Sequence, residues 1–319
     1  DKLNIAGNGH LAYEPTVAGL ASASLTRRLY QDDPRLPVER SQFQLEVVAE
    51  NDSNQPIVNL SVAGGFQPGM LYELLYEARN PVLAGAGMTA IRDMVSAIRF
   101  GDDAADELSQ LGLSDIESTV AWGNSQSGRL LRQFMFDGFN EDLNGRKVFD
   151  GVIPVIAGGG YGMFNNRFAM PTRTNGQHSN HLYPNDLFPF TYGESTDPFT
   201  GRTDSILGKA RASSTVPKVM HIQTSNEYWV RGGSLAHTNP QGTKDAVLPE
   251  EVRFYSIGGS QHGSGNGLPG AATSGQLPRN PNMWAPIAHS LLVAMYDWVA
   301  NDKAPPASRY PQIADGSLV

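Results

Sequence analysis

Four short apolar segments, set among segments with helical spacing, restrict the fold of this chain more than any other feature. The apolar segments are Ser118–Trp122, Gly151–Ile156, Val219–Thr224 and Val252–Ile257. Apolar residues recur with helical spacing over Met88–Phe100, Ser127–Gly138 and Ile287–Ala300. Strands that are apolar without alternation are typical of a parallel sheet covered on both faces. The sequence therefore predicts an α/β fold with a mostly parallel central sheet flanked by helices.

The first 80 residues are predicted to add further strands. Apolar residues alternate or cluster over Leu25–Tyr30, Gln42–Ala49, Ile57–Val62 and Met70–Ala78. No repeat and no linker-like composition divides the 319 residues. We therefore expect one domain over residues 1–319, a length that single α/β domains commonly reach.

Residues 157–203 interrupt the alternation of strands and helices. This segment is rich in glycine, asparagine, proline and aromatic residues, and it has little periodicity. A loop of this length inside a compact domain is usually functional, so we predict a cap-like insert over the functional site. Aromatic side chains bury large areas, and Tyr161, Phe188 and Trp229 are the predicted walls of a mostly apolar pocket.

Composition and charge argue against several classes of function. The net charge is −8 and the basic residues form no cluster, which argues against nucleic-acid binding. The sequence contains no cysteine, which excludes thiolate catalysis, disulfides and cysteine metal sites. No apolar run reaches the roughly 20 residues that a membrane-spanning helix needs. We therefore expect a small-molecule substrate as the partner of this chain.

The segment Thr119–Gly128, TVAWGNSQSG, gives the strongest indication of chemistry. An apolar strand runs into a small–x–Ser–x–small turn and then into a helix, which is typical of a nucleophile elbow. Ser125 would occupy a tight, strained turn, so its neighbours Gly123 and Ser127 must be small, although glycine is usual at the second place. The N–H of Gln126, at the start of the helix, is the predicted oxyanion donor.

A serine nucleophile needs a base, and His262 is the predicted one. It lies in a glycine-flanked loop after the last apolar strand, where the order serine, acid, histidine places the base. The acid should follow the preceding strand, and Glu227 is the first carboxylate there. Asp245 is the rival, but it lies in a polar loop before the last strand and should be at the opposite edge of the sheet.

These motifs resemble those of a known family. The matching segments are Gly123–Arg129, Asn180–Phe190, Asn226–Trp229 and Gly259–Gly263. They are similar to the alpha/beta hydrolase domain family, a group of bacterial serine esterase-like proteins of the α/β-hydrolase superfamily. The resemblance covers most of the chain, from Leu25–Tyr30 to the last helix. It implies the α/β-hydrolase fold with the triad Ser125, Glu227 and His262, and it slightly favours a secreted or periplasmic location.

The activity predicted from these residues is the hydrolysis of carboxylic esters through an acyl-enzyme intermediate. Ser125 would attack the acyl carbon, His262 would transfer the proton, and Glu227 would orient the imidazole. No cofactor and no metal is required. The second oxyanion donor should come from the loop after the third strand, where Ala78 or Arg79 is the predicted residue.

Two other functions remain open at this point. A metal-dependent hydrolase could use His178, His181 and Asp186, but their spacing is not that of a known zinc motif, and Pro184 disfavours a helix there. The chain could also be a binding protein without catalysis, since a fold alone does not prove activity. A complete triad favours an enzyme over this second alternative.

Overall fold

The computed structural model describes residues 2–5, 13–30, 32–50, 56–81, 85–101, 116–168, 187–268, 270 and 276–319. The chain divides into two compact units. One consists of Asp1–Ala84 with Asn165–Asn175, and the other of Gly85–Phe164 with Gly176–Val319. Within the described ranges, no helix combines the length and the apolar character that a membrane crossing requires.

The first unit is built from antiparallel strands. They are β1 (Lys2–Asn4), β2 (Glu14–Pro15), β3 (Ser24–Arg28), β4 (Leu36–Val38), β5 (Phe43–Glu50), β6 (Pro56–Val62), β7 (Leu71–Leu75) and β8 (Ala78–Arg79), together with the α-helix α1 (Val17–Ser22) and the 3-10 helix Arg40–Gln42. The sheets have the orders β1-β6-β5, β4-β3-β7 and β2-β8. Each strand predicted in this part of the chain is present, and the last one is split into β7 and β8.

The second unit contains the predicted parallel sheet. Its strands are β9 (Val120–Asn124), β10 (Gly151–Val155), β11 (Ser195–Thr196), β12 (Thr203–Asp204), β13 (Lys218–Thr224) and β14 (Val252–Ile257). Its helices are α2 (Ala86–Phe100), α3 (Gln126–Asp137), α4 (Gly208–Ala212), α5 (Ser225–Val230) and α6 (Ala285–Asn301). Strands β14, β13, β10 and β9 lie side by side in that order, and all three pairings are parallel.

Helices cover both faces of this sheet, which explains why its strands are apolar without alternation. On one face, Val152 and Val219 pack with Leu131 and Phe134 of α3. On the other face, the neighbouring strand residues pack against α6. That second cluster contains Ile153, Val155, Met220, Ile222, Leu291, Met295 and Trp298. Every residue of β10 is buried, as expected for a strand with neighbours on each side and a helix over each face.

Parts of two predicted features lie outside the described residues. Residues 102–110, which the sequence also predicts to be helical, lie outside the described residues, as do residues 169–186 of the insert. The described part of the insert contains the short antiparallel pair β11 and β12 and the buried side chains of Tyr161 and Tyr192. The single domain over residues 1–319 and the cap-like role of residues 157–203 therefore stay predictions.

One buried carboxylate, Asp142, ties the loop after α3 to helix α2. Its Oδ2 accepts hydrogen bonds from Ser96 Oγ at 2.6 Å and from Arg146 Nε at 2.8 Å. Its Oδ1 accepts from the backbone N–H groups of Asn144 and Arg146 at 2.9 and 2.8 Å. Burial of the carboxyl acts to raise its pKa, but these hydrogen bonds outweigh burial and lower the pKa of Asp142 from 3.8 to about 2.

We expect Asp142→Asn to lower the free energy of unfolding by about 2 kcal/mol at neutral pH, because it removes hydrogen bonds to a buried charge. The folded pKa lies below the unfolded one, so this stabilisation is present above pH 3.8 and is lost as the pH falls through about 2. Denaturant unfolding of both proteins should therefore give a difference that shrinks as the pH is lowered.

A matched control is Asp297→Asn, because Asp297 pairs with Lys303 at the surface and exposed ion pairs contribute little to stability. That variant should unfold like the parent protein. A difference for Asp142→Asn that stays constant with pH would contradict the proposed ionisation of Asp142.

Candidate active site

Ser125 lies in the tight turn between β9 and α3. Its backbone has φ 55° and ψ −115°, a conformation that is strained for a residue with a side chain. The turn is held from both sides, because Ser125 N donates to the carbonyl of Val155 at 2.8 Å and its own carbonyl accepts from Arg129 N at 3.0 Å. This geometry is that of the predicted elbow.

Close contacts with backbone and side-chain atoms explain the glycines at positions 123 and 128. A Cβ at Gly123 would lie 2.5 Å from the carbonyl oxygen of Ser127, and a Cβ at Gly128 would lie 3.0 Å from Ala157 Cβ. Ser127 itself is exposed. The requirement for a small residue therefore applies to positions 123 and 128, and the serine at 127 has room because its side chain points to solvent.

The structure brings Ser125, His262 and Glu227 together. His262 Nε2 is 2.9 Å from Ser125 Oγ, and His262 Nδ1 is 2.6 Å from Glu227 Oε1. A neutral imidazole donates at one nitrogen and accepts at the other. With Nδ1–H donating to the carboxylate, Nε2 is left as the acceptor for the serine hydroxyl proton.

Two neighbouring segments hold the loop that carries His262. At the start of α5, Ser225 Oγ accepts from the backbone N–H of Gly259 at 2.9 Å. Just before α6, the indole of Trp284 donates to the carbonyl of Gln261 at 3.1 Å. The residue directly before His262 is therefore anchored, while the side chain of His262 is 41% exposed.

Glu227 is fully buried, and its carboxylate is surrounded by hydrogen-bond donors. Oε1 faces His262, and Oε2 accepts from the backbone N–H of Thr224 at 2.9 Å and from Thr224 Oγ1 at 2.5 Å. Burial acts to raise the pKa of Glu227, but the hydrogen bonds from His262 and Thr224 outweigh burial and lower it. The carboxylate is thereby kept in its charged form although it is out of solvent.

Comparison with known proteins identifies the family. Residues 60–319 match the family profile described as Alpha/beta hydrolase domain. The chain belongs to the alpha/beta hydrolase domain family. A search of curated proteins and a search of solved structures gave no match. Membership confirms the predicted fold class, and it indicates a hydrolase that acts on a small-molecule substrate.

The predicted pocket residues of this alpha/beta hydrolase domain have different environments. Tyr161 belongs to the core, where its ring stacks on Phe136 at 4.8 Å and its hydroxyl donates to the carbonyl of Phe188 at 3.2 Å. Phe188 is half-buried, with its ring against Phe190. Trp229, on the same short helix as Glu227, is 87% exposed. Their role as pocket walls stays a prediction.

The rival acid Asp245 is engaged elsewhere. Its Oδ1 and Oδ2 accept hydrogen bonds from the backbone N–H groups of Ile313 and Ala314, each at 2.9 Å. This carboxylate therefore fastens the C-terminal segment, whereas the imidazole of His262 is bonded to Glu227.

The remaining predicted residues belong to three different parts of the chain. Gln126 is the first residue of α3, and Ala78 is the first residue of β8 in the first unit. His178, His181 and Asp186 lie outside the described residues. In the described part of the chain, no group of three or more histidine and carboxylate side chains has the arrangement of a metal site.

Thr224 is the site residue that the sequence predictions missed. It precedes α5 and forms a capping box with Glu227, in which each residue's side chain bonds the backbone N–H of the other. The sequence contains the corresponding pattern, Thr224-Ser225-Asn226-Glu227. This Thr-x-x-Glu spacing is the feature from which both α5 and the partner of Glu227 could have been predicted.

Proposed function

We propose that this alpha/beta hydrolase domain is a serine hydrolase that cleaves carboxylic esters through an acyl-enzyme intermediate. The observation that carries the proposal is the series of hydrogen bonds from Ser125 Oγ to His262 Nε2, at 2.9 Å, and from His262 Nδ1 to Glu227 Oε1, at 2.6 Å. A serine becomes an effective nucleophile when a base within hydrogen-bond reach takes its proton and a third group orients that base.

In the proposed acylation step, Ser125 Oγ forms a bond to the acyl carbon while its proton passes to His262 Nε2. The imidazolium that results is stabilised by the charged carboxylate of Glu227. The proton then passes to the oxygen of the leaving alcohol as the ester C–O bond breaks. The acyl group remains on Ser125 as an ester.

Deacylation repeats these steps with water. His262 Nε2 takes a proton from a water molecule, the water oxygen attacks the acyl carbon, and the proton returns to Ser125 Oγ as the acid product leaves. The partial exposure of the imidazole supports this step, because water must reach the nitrogen that faces Ser125.

The negative charge that develops on the acyl oxygen requires hydrogen-bond donors. The backbone N–H of Gln126 is the proposed first donor, since it lies at the N-terminus of α3, where N–H groups and the helix dipole favour an anion. The second donor expected from the sequence, Ala78 or Arg79, stays a prediction.

Ser125→Ala should lower kcat on a simple ester by about 10³-fold or more, because it removes the nucleophile. Ser127→Ala is the matched control, since Ser127 is an exposed serine two positions further along, in the first turn of α3. It should keep near-parental turnover. The measurement is steady-state hydrolysis of one activated ester by folded protein. Near-normal activity of Ser125→Ala would contradict the proposal.

Glu227→Gln should lower kcat by about 10²- to 10⁴-fold, because the amide neither holds the imidazole tautomer nor stabilises its positive charge. Asp245→Asn should leave kcat almost unchanged, since Asp245 bonds the C-terminal segment. Circular dichroism confirms folding of each variant. A large loss in Asp245→Asn together with none in Glu227→Gln would assign the acid to Asp245.

A further inference from the structure

We infer that Thr224 is a positioning residue, which holds Glu227 so that one carboxylate oxygen faces His262 while the other is fixed. This inference rests on the proposed function, and it deepens it by adding a residue that acts through the acid. Both the backbone N–H and the hydroxyl of Thr224 donate to Glu227, so we expect its effect on turnover to pass through Glu227.

The two carboxylate oxygens of Glu227 have different hydrogen-bond partners. Oε2 accepts two hydrogen bonds from Thr224, one from its backbone N–H at 2.9 Å and one from its hydroxyl at 2.5 Å. Oε1 is 2.6 Å from His262 Nδ1. Because a carboxyl group is planar, fixing Oε2 at one residue also fixes the direction in which Oε1 points.

A glutamate needs such a restraint more than an aspartate does. Its side chain has one more rotatable bond, so ordering it in one rotamer costs more conformational entropy. In this chain the side chain of Glu227 folds back to Thr224, the residue directly before its own helix, in a capping box. The side-chain conformer of Glu227 that faces His262 is therefore fixed by a residue only three positions earlier in the chain.

Thr224 also connects the acid to the frame of the sheet. It is the last residue of β13, and it pairs with Ile257, the last residue of β14. The loop that carries His262 starts directly after Ile257. The side chain of Thr224 is completely buried. It therefore lies in a fixed position at the ends of β13 and β14, which are followed by the segments that carry Glu227 and His262.

Two substitutions at position 224 separate the hydroxyl from the rest of the residue. Thr224→Val keeps the branched shape and the backbone N–H but removes the hydroxyl donor to Oε2. Thr224→Ser keeps the hydroxyl and removes only a methyl group. The control is Thr16→Val, because Thr16 caps α1, another six-residue helix, by accepting from Gly19 N at 2.7 Å.

Kinetics on one simple ester should distinguish positioning from a purely structural role. Thr224→Val should lower kcat about 10-fold with KM little changed, as expected when a hydrogen bond to a charged group is lost. Thr224→Ser should restore kcat to nearly the parental value. Thr16→Val should lose stability while its kcat, per folded molecule, stays parental.

A second readout is independent of the substrate. The proton on His262 Nδ1 lies in a short hydrogen bond to Glu227 and should give a ¹H resonance far downfield of the amide signals, absent in His262→Gln. Thr224→Val should shift or broaden this resonance, and Thr224→Ser and Thr16→Val should leave it in place. An effect on stability alone would not move it.

The outcomes separate the two proposals. If Thr224→Val has parental kcat and an unchanged downfield resonance, or if Thr224→Ser is as impaired as Thr224→Val, the positioning role is wrong while the esterase proposal stands. If Ser125→Ala retains the esterase activity, the proposed function is wrong, and the resonance of Thr224→Val then decides whether Thr224 positions Glu227.

Discussion

The parallel register of β9, β10, β13 and β14 is the constraint on which the candidate site depends. Val155 lies opposite Asn124 on one side and Ile222 on the other, and Thr224 lies opposite Ile257. Parallel strands in such a register leave the sheet at one edge. Ser125 and Glu227, which lie 137 and 35 positions from His262 along the chain, therefore meet it at this edge. A slip of one residue in any pairing would turn the side chains to the other face.

The hydrogen bonds to the buried carboxylate of Glu227 contribute both to the stability of the fold and to the proposed reaction. An ionised carboxylate out of solvent is costly unless hydrogen bonds satisfy it, and here the donors are Thr224 on one oxygen and His262 on the other. The same bonds that make the charge tolerable in the folded protein place it beside the imidazole. In the proposed reaction that imidazole gains a proton, so a carboxylate already charged and oriented is what the transition state requires.

Much of this arrangement could be predicted from the amino-acid sequence, because it depends on local patterns. Apolar strands without alternation predicted the parallel sheet, and the small–x–Ser–x–small pattern from Gly123 to Ser127 predicted an elbow at Ser125. The order of strands placed Glu227 just after β13 and His262 in the loop after β14. Each of these inferences uses only the character of a segment and its place in the order of elements.

Other features depend on contacts between distant segments, and the sequence predictions did not reach them. The crowded position after Ser125 is Gly128 rather than Ser127, because Ala157, beyond the end of a different strand, lies against it. Asp142 takes its hydrogen bond from Ser96, 46 positions away. The restraint on Glu227 by Thr224 does not depend on distant segments. Its Thr-x-x-Glu pattern is local and present in the sequence, but the sequence predictions did not use it.

Covalent labelling with a serine-directed fluorophosphonate, followed by mass-spectrometric mapping of the modified residue, tests the central claim most directly. It examines the nucleophile without requiring the natural ester. An activated serine predicts one adduct per folded chain, located on Ser125, and no adduct after denaturation or in His262→Gln. An adduct on Ser127, or no adduct on folded protein, would contradict the assignment of Ser125 as the nucleophile.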